Sequence, residues 1–175
     1  MIRTAVLADV DAIEGLIAAS VHGLQAGDYS QEQREGALGT VFGADRQMIA
    51  DGTYYIVEEE GRMVACGGWS RRRTPFGGDR SPRKDDSFLD PATDAARIRA
   101  FFVHPDFARR GLGTLLLNTC EDAARAAGFT RAELTSTLTG IPLYDVRGFV
   151  AGERLELPLG NGATLPVVRM EKSLA

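Results

Sequence analysis

The segment IRAFFVHPDFARRGLGTLLLN, Ile98 to Asn118, limits the possible folds of this chain more than any other. A β-prone run without a breaker stops at His104-Pro105-Asp106; Gly111-Leu112-Gly113 follows, and a helical apolar pattern begins at once. A strand that feeds directly into a helix commits the chain to a layered α/β arrangement, with the helix folded back onto a sheet. It also aims the unpaired N–H groups of the first helical turn at the space beyond the strand, where the helix dipole favours an anion. Gly111 and Gly113 carry no Cβ to block a close approach to those amides, and Arg109 and Arg110 place charge beside them. The pattern is not a Gly-Lys-Ser/Thr phosphate loop. It is not G-x-G-x-x-G either, because Leu116 takes the third position.

The rest of the chain supplies the other layers. Ile2–Val6 reads as a short strand. Val10, Ile13, Leu16, Ile17 and Val21 then recur at helical spacing, with Asp9 as the expected N-cap. Ser30 and Gln33 form a capping-box signature for a second helix, and a further short turn precedes Gly52. TYYIVEEE and RMVACGGWS flank Gly61 as a hairpin. The helix after Gly111 is expected to bury Leu115, Leu116, Cys120, Ala123, Ala124 and Ala127 and to stop at Gly128. FTRAELTST is a strand, GIPLYDVRG a short helix entered through Pro142, and two final strands surround Gly160-Asn161-Gly162. With no repeat and no change of composition regime, residues 1–175 read as one mixed α/β domain.

Residues 70–96 form a long charged loop between the third and fourth strands. Its cations Arg71, Arg72, Arg73, Arg80, Arg83 and Lys84 face the acids Asp79, Asp85, Asp86, Asp90 and Asp94. Such a segment buries little. It is either a solvated connection or a lid over a substrate site.

Net charge is −4, so no overall basic field draws nucleic acid or an anionic membrane, and the acids beside Arg71–Arg73 nearly cancel that cluster. No apolar run reaches the roughly 20 residues of a membrane span. The first residues lack the basic-then-apolar pattern of a secretory leader, which predicts a cytoplasmic protein. Cys66 and Cys120 lie far apart in no metal-ligand spacing and read as buried reduced thiols; no metal is expected.

VHPDFARRGLGTLLL resembles the acetyl-CoA pyrophosphate loop of the GNAT (Gcn5-related) N-acetyltransferases, in which Gln/Arg-x-x-Gly-x-Gly/Ala follows the fourth strand. GIPLYDVRGFV, Gly140 to Val150, resembles the same family's downstream segment, and the order and spacing of the two blocks agree. The resemblance implies a mostly antiparallel twisted sheet of about six to seven strands, splayed between strands four and five and flanked by about four helices. It implies an acetyl-CoA-dependent N-acetyltransferase that acts on a primary amine of a small molecule or peptide by direct attack, with a homodimer possible. Main-chain groups of Phe101, Phe102 and Val103 would pair with the pantetheine arm. The amides of Arg109, Arg110, Gly111, Leu112, Gly113 and Thr114 would hold the pyrophosphate, and Tyr144 would act as general acid to the departing thiolate.

Three positions depart from the family pattern: Ala108 where Gln or Arg is usual, Thr137 where many members carry Asn, and Gly140 where they carry Ala. The fourth strand also lacks the glutamate that many members use as base. That leaves a water chain or an acid elsewhere, with Glu133, Asp94 and Glu58 unranked. His104 sits at a variable turn position. His22 reads as surface or packing, and Trp69 as core or acceptor-pocket wall. A non-catalytic acyl-CoA sensor on the same fold is the alternative reading.

Overall fold

The structure, a computed structural model, describes residues 1–82 and 84–175; Arg83, counted above among the loop cations, lies outside the described residues. Seven strands form one sheet: β1 (Ile2–Thr4), β2 (Tyr54–Glu59), β3 (Arg62–Ser70), β4 (Ala96–Val103), β5 (Arg131–Thr137), β6 (Val150–Pro158) and β7 (Thr164–Ser173). Their order is β1-β2-β3-β4-β5-β7-β6, and every neighbouring pair is antiparallel except β4–β5. Five helices, α1 (Val10–Leu24), α2 (Gln31–Ala37), α3 (Arg46–Ala50), α4 (Leu112–Ala126) and α5 (Ile141–Val146), cover the faces.

α1 buries the stripe expected of it, Val10, Ile13, Leu16, Ile17 and Val21, against Ile56, Cys66 and Phe102. α4 packs on the other face against Trp69, Ile98 and Leu134. Its buried stripe is Leu112, Leu116, Leu117, Cys120 and Ala124, while Leu115 is 40% exposed. The expected face was therefore rotated by one residue, because Leu112 and Leu116 turn toward Val57, Val64 and Ala65 of the neighbouring hairpin. α2 carries the capping box: Gln33 N–H donates to Ser30 Oγ (3.1 Å) and Ser30 N–H to Gln33 Oε1 (2.8 Å). Asp9 does not cap α1. Its carboxylate accepts from Val6 N–H (2.8 Å) and from Arg3 (2.9 Å), closing the strand-to-helix corner through a single 3-10 turn.

Residues 71–82 and 84–95 are tied down more firmly than their composition suggests. Backbone bonds join Arg73 to Ser87, Thr74 to Asp85 and Leu89 to Arg71, and Arg72 pairs with Asp51 at 2.7 and 2.9 Å while stacking on Phe88. Gly78 and Asp79 donate to Thr40 O and Ala44 O, docking the loop on the α2–α3 connection. Thr74 and Leu89 are buried. Backbone pairing and ion pairs replace the apolar burial that the sequence lacks there.

Both cysteines are free and fully buried, Cys66 under α1 and Cys120 in α4. Burial pushes the Cys66 thiol from an ordinary 9.0 up to about 12, and it raises Cys120 and the fully buried Tyr54 well above their ordinary values. Each group binds its proton more tightly folded than unfolded. The resulting stability is complete below the unfolded pKa and is lost as pH rises through the folded one. Stability is therefore expected to stay level to about pH 8.5 and then to fall by up to roughly 1.4 kcal/mol per pH unit for each ionising group. Urea melts at pH 8, 10 and 11 test this; coincident midpoints would show that these groups stay protonated when unfolded as well.

Candidate active site

β4 and β5 pair only through Ala96, Ile98 and Arg97 against Ala132, Leu134 and Glu133. Beyond Ile98 they separate, β5 runs on beside β7, and the β5-facing edge of β4 is left without a strand partner. β4 is also irregular on its other side, where its register against β3 shifts between Cys66 and Gly68 and Ala100 adopts a left-handed φ of 59°. A non-glycine residue in that region costs about 1–2 kcal/mol. The buried Tyr54 hydroxyl donates to Ala100 O at 3.0 Å and fixes the irregularity in place. Across the opening, Tyr29 O–H donates to Pro166 O (2.6 Å) and accepts from Leu138 N–H (2.9 Å), holding the chain that leaves β5.

A cavity of about 500 Å³ lies at this opening. Phe101, Phe102, Val103, Arg109, Gly111, Leu112, Gly113, Thr114 and Tyr144, all singled out in the sequence, line this one space. Arg110 does not. Its guanidinium stacks on Phe107 and pairs with Glu59 at 3.3 Å, on the solvent side of the loop. The loop backbone is shaped for an anion. Arg109 (φ 59°) and Gly111 (φ 82°) are both left-handed, and the first helical bond runs from Leu115 N–H to Gly111 O, leaving the amides of Leu112, Gly113 and Thr114 unpaired. A Cβ added at Gly111 would meet no atom within 4 Å, so the space beside it is open. Ala108, where a polar side chain was expected, lines the cavity and brings no donor from its side chain.

Tyr144 sits on α5, where its ring packs against Phe101 (6.2 Å between centroids) and edge-on against Phe149 (5.8 Å). It is 8% exposed, and its hydroxyl bonds to none of the described residues. Burial, aided by neighbouring Cys120, raises the phenol far above its ordinary value, so it is a neutral donor across the working pH range. Gly140 is matched to this ring. A Cβ there would fall 2.9 Å from Ser136 Oγ and 3.1 Å from Tyr144 Cε2. Thr137 Oγ1 accepts from Gly140 N–H at 3.1 Å, capping the turn into α5.

A second cavity of about 90 Å³ adjoins the first, sharing Phe101, Phe102, Thr137, Gly140 and Tyr144. Pro75, Phe76 and Gly77 of the long loop form part of its wall, so that loop is a structural side of the site. No Asp, Glu or His is among the residues lining either cavity. Glu133 is bound by Arg169 (2.9 and 3.0 Å) and Arg97 (3.0 Å). Burial works against its charge, yet the two arginines hold its carboxyl below the ordinary value. Asp94 serves Asp90 N–H and Arg73, and Glu58 serves Arg3 at the sheet edge. His104 caps its own turn and packs on Phe107, His22 is exposed, and Trp69 is core against Phe129. Sequence reasoning missed Ser20 and Leu24 of α1 and Gln25 just beyond it, which line the larger cavity; the buried Gln25 Oε1 has no partner among the described residues. It missed Arg99 as well, although an arginine inside a strand interior is a legible signal. Among the described residues no group of three or more His, Cys, Asp or Glu is placed to hold a metal, and no helix is long and apolar enough to cross a membrane.

Comparison with known proteins matches residues 20–149 to the acetyltransferase (GNAT) family model. Among solved structures, a GCN5-related N-acetyltransferase from Rhodopseudomonas palustris superposes with a TM-score of 0.73 at 24% identity, covering 99% of this chain and 94% of that one. The paiA N-acetyltransferase from Thermoplasma acidophilum, solved with coenzyme A, gives 0.65 at 14% identity over 99% and 98%. yncA from Salmonella typhimurium, described as a putative acetyltransferase with its cofactor acetyl-CoA, gives 0.63 at 20% over 100% and 94%.

Proposed function

This chain belongs to the acetyltransferase (GNAT) family, and on that premise we propose that it transfers an acetyl group from acetyl-CoA to an amine held in the smaller cavity. The observation that carries the reading is the placement of Tyr144. Its neutral, unpartnered hydroxyl stands on the wall shared by both cavities, beside the unpaired edge of β4 and the open amides of α4. Acetyl-CoA supplies the acyl group as a thioester. The free edge at Phe101–Val103 pairs with an extended amide-bearing arm, and Gln25 Oε1 accepts from one of that arm's N–H groups. The amides from Arg109 to Thr114 and the Arg109 side chain take the phosphates. Tyr144 donates to the sulfur as the thiolate leaves.

With no carboxylate or imidazole on either wall, the acceptor's proton passes to water through the opening. The two thiols line neither cavity, and burial keeps them protonated, which favours direct attack by the amine over an acyl-cysteine route.

Thiol release from acetyl-CoA across a panel of amines, read beside acetyl-CoA binding by calorimetry, tests the proposal. Binding without release by any amine sinks it and leaves the sensor reading. A narrower test uses Gly111→Ala. The open space means that no clash arises in the free protein, so the cost is left-handed strain of about 1–2 kcal/mol, a loss of about 2–8 °C in Tm. The added methyl also occupies the phosphate approach, and KM for acetyl-CoA should rise about tenfold with little change in kcat.

A further inference from the structure

Among the described residues, the smaller cavity has one charged residue in its lining, Arg99. Its side chain is 3% exposed, and its Nη2 donates to Asp45 Oδ2 (2.9 Å) and to the carbonyl of Gly77. Gly77 is itself a wall residue, so the guanidinium head is bonded directly to the cavity wall. Arg99 Nε is buried and bonds to none of the described residues. A guanidinium offers five donors in a planar fork, and an unpaired buried donor is costly unless a ligand meets it.

Arg99 belongs to a small ion-pair network. Asp45 is shared between Arg99 and Lys84 (3.3 Å), and the nearby Asp79 is engaged by Arg46 at 2.6 Å. Lys84 also lies 4.0 Å from Asp79, so the cations are divided between two carboxylates, and Arg99 is the member of the network that lines the cavity. The same wall offers no acid to a polycation. The rest of it is apolar at Phe42, Phe76 and Leu157 and carries hydroxyls at Thr135, Ser136 and Thr137.

We propose that Arg99 selects the acceptor: the substrate is a small amine that also bears a carboxylate, an amino acid or a compound like one, whose carboxylate docks on the free Nε edge of Arg99. This rests on the acetyl-transfer reading above. The cavity's small volume suits a few carbons between amine and carboxylate, and the cationic Arg99 on its wall disfavours polyamines.

The test presents each amine twice, as the free acid and as its uncharged primary amide, with spermidine as the polycation, and measures thiol release from acetyl-CoA. The acids should exceed their amides by about 100-fold in kcat/KM, since the amide leaves the fork unmet. Arg99→Lys keeps the charge and loses the fork, and should narrow that ratio below about tenfold. A purely structural arginine would leave the ratio unchanged. Should the variant not fold, the wild-type protein with CoA decides: an N-acetylated amino acid should raise the melting temperature and its amide should not. Equal rates for acid and amide, or a preference for spermidine, overturn the proposal and leave acetyl transfer intact. If acetyl-CoA binds and no amine releases thiol, the transfer reading fails. The melting comparison then still rules on Arg99, and equal or absent shifts for acid and amide count against it.

Discussion

Tyr144→Phe is expected to lower kcat by about 10²–10³-fold while KM for acetyl-CoA stays within about threefold. The ring is held by Phe101 and Phe149 through contacts that a phenylalanine keeps. The lost hydroxyl has no partner among the described residues to strand. Folding stability should therefore change by less than about 1 kcal/mol. What disappears is the phenolic donor on the wall shared by both cavities, and with it the proton for the leaving thiolate. Because burial raises the phenol well above its ordinary value, the wild-type group stays protonated through neutral and mildly alkaline pH. The ratio of wild-type to variant rates should then be flat from about pH 6 to pH 9. Steady-state kinetics across that range, with a thermal melt as control, checks it. Turnover equal to wild type at every pH would remove the role assigned to Tyr144.

The backbone features of this candidate site are legible in the sequence because they have local causes. The glycines and the strand-to-helix turn set the shape of Ala108–Thr114, and both are short-range in sequence. The capping box of α2 and the buried stripe of α1 were legible for the same reason. The stripe of α4 was misplaced by one residue because a run of three leucines is ambiguous, and the choice fell to the hairpin packed against it. The two arginines after Ala108 looked equivalent, yet the left-handed turn at Arg109 separates them: one faces the cavity, and the other reaches Phe107 and Glu59. The acceptor side was the least legible. Arg99, Asp45 and Gly77 are brought together only by the docking of the long loop on the α2–α3 connection, a contact between distant segments with no motif of its own.

That meeting point also carries the largest expected effect on stability. Asp45→Ala should destabilise the fold by about 3–5 kcal/mol, which for a chain of this size lowers Tm by roughly 6–20 °C. Asp45 is buried; it caps α3 by accepting from Met48 N–H at 3.1 Å, and it pairs with Arg99 and Lys84. Loss of the cap is worth about 1 kcal/mol. The remainder comes from leaving the Arg99 guanidinium, 3% exposed, without a counter-charge. Arg99 in turn holds Gly77 O, so the wall formed by Pro75–Gly77 should loosen as well. Replacing both partners, Asp45→Leu with Arg99→Met, should recover most of the lost stability, since an apolar pair of similar volume carries no desolvation cost. Denaturant melts of the two variants separate the contributions. Recovery in the double variant together with loss of acceptor turnover would mean that the fold does not need this ion pair, and that the chain keeps it for the substrate. A double variant no more stable than Asp45→Ala would instead make the pair a structural clamp for the loop.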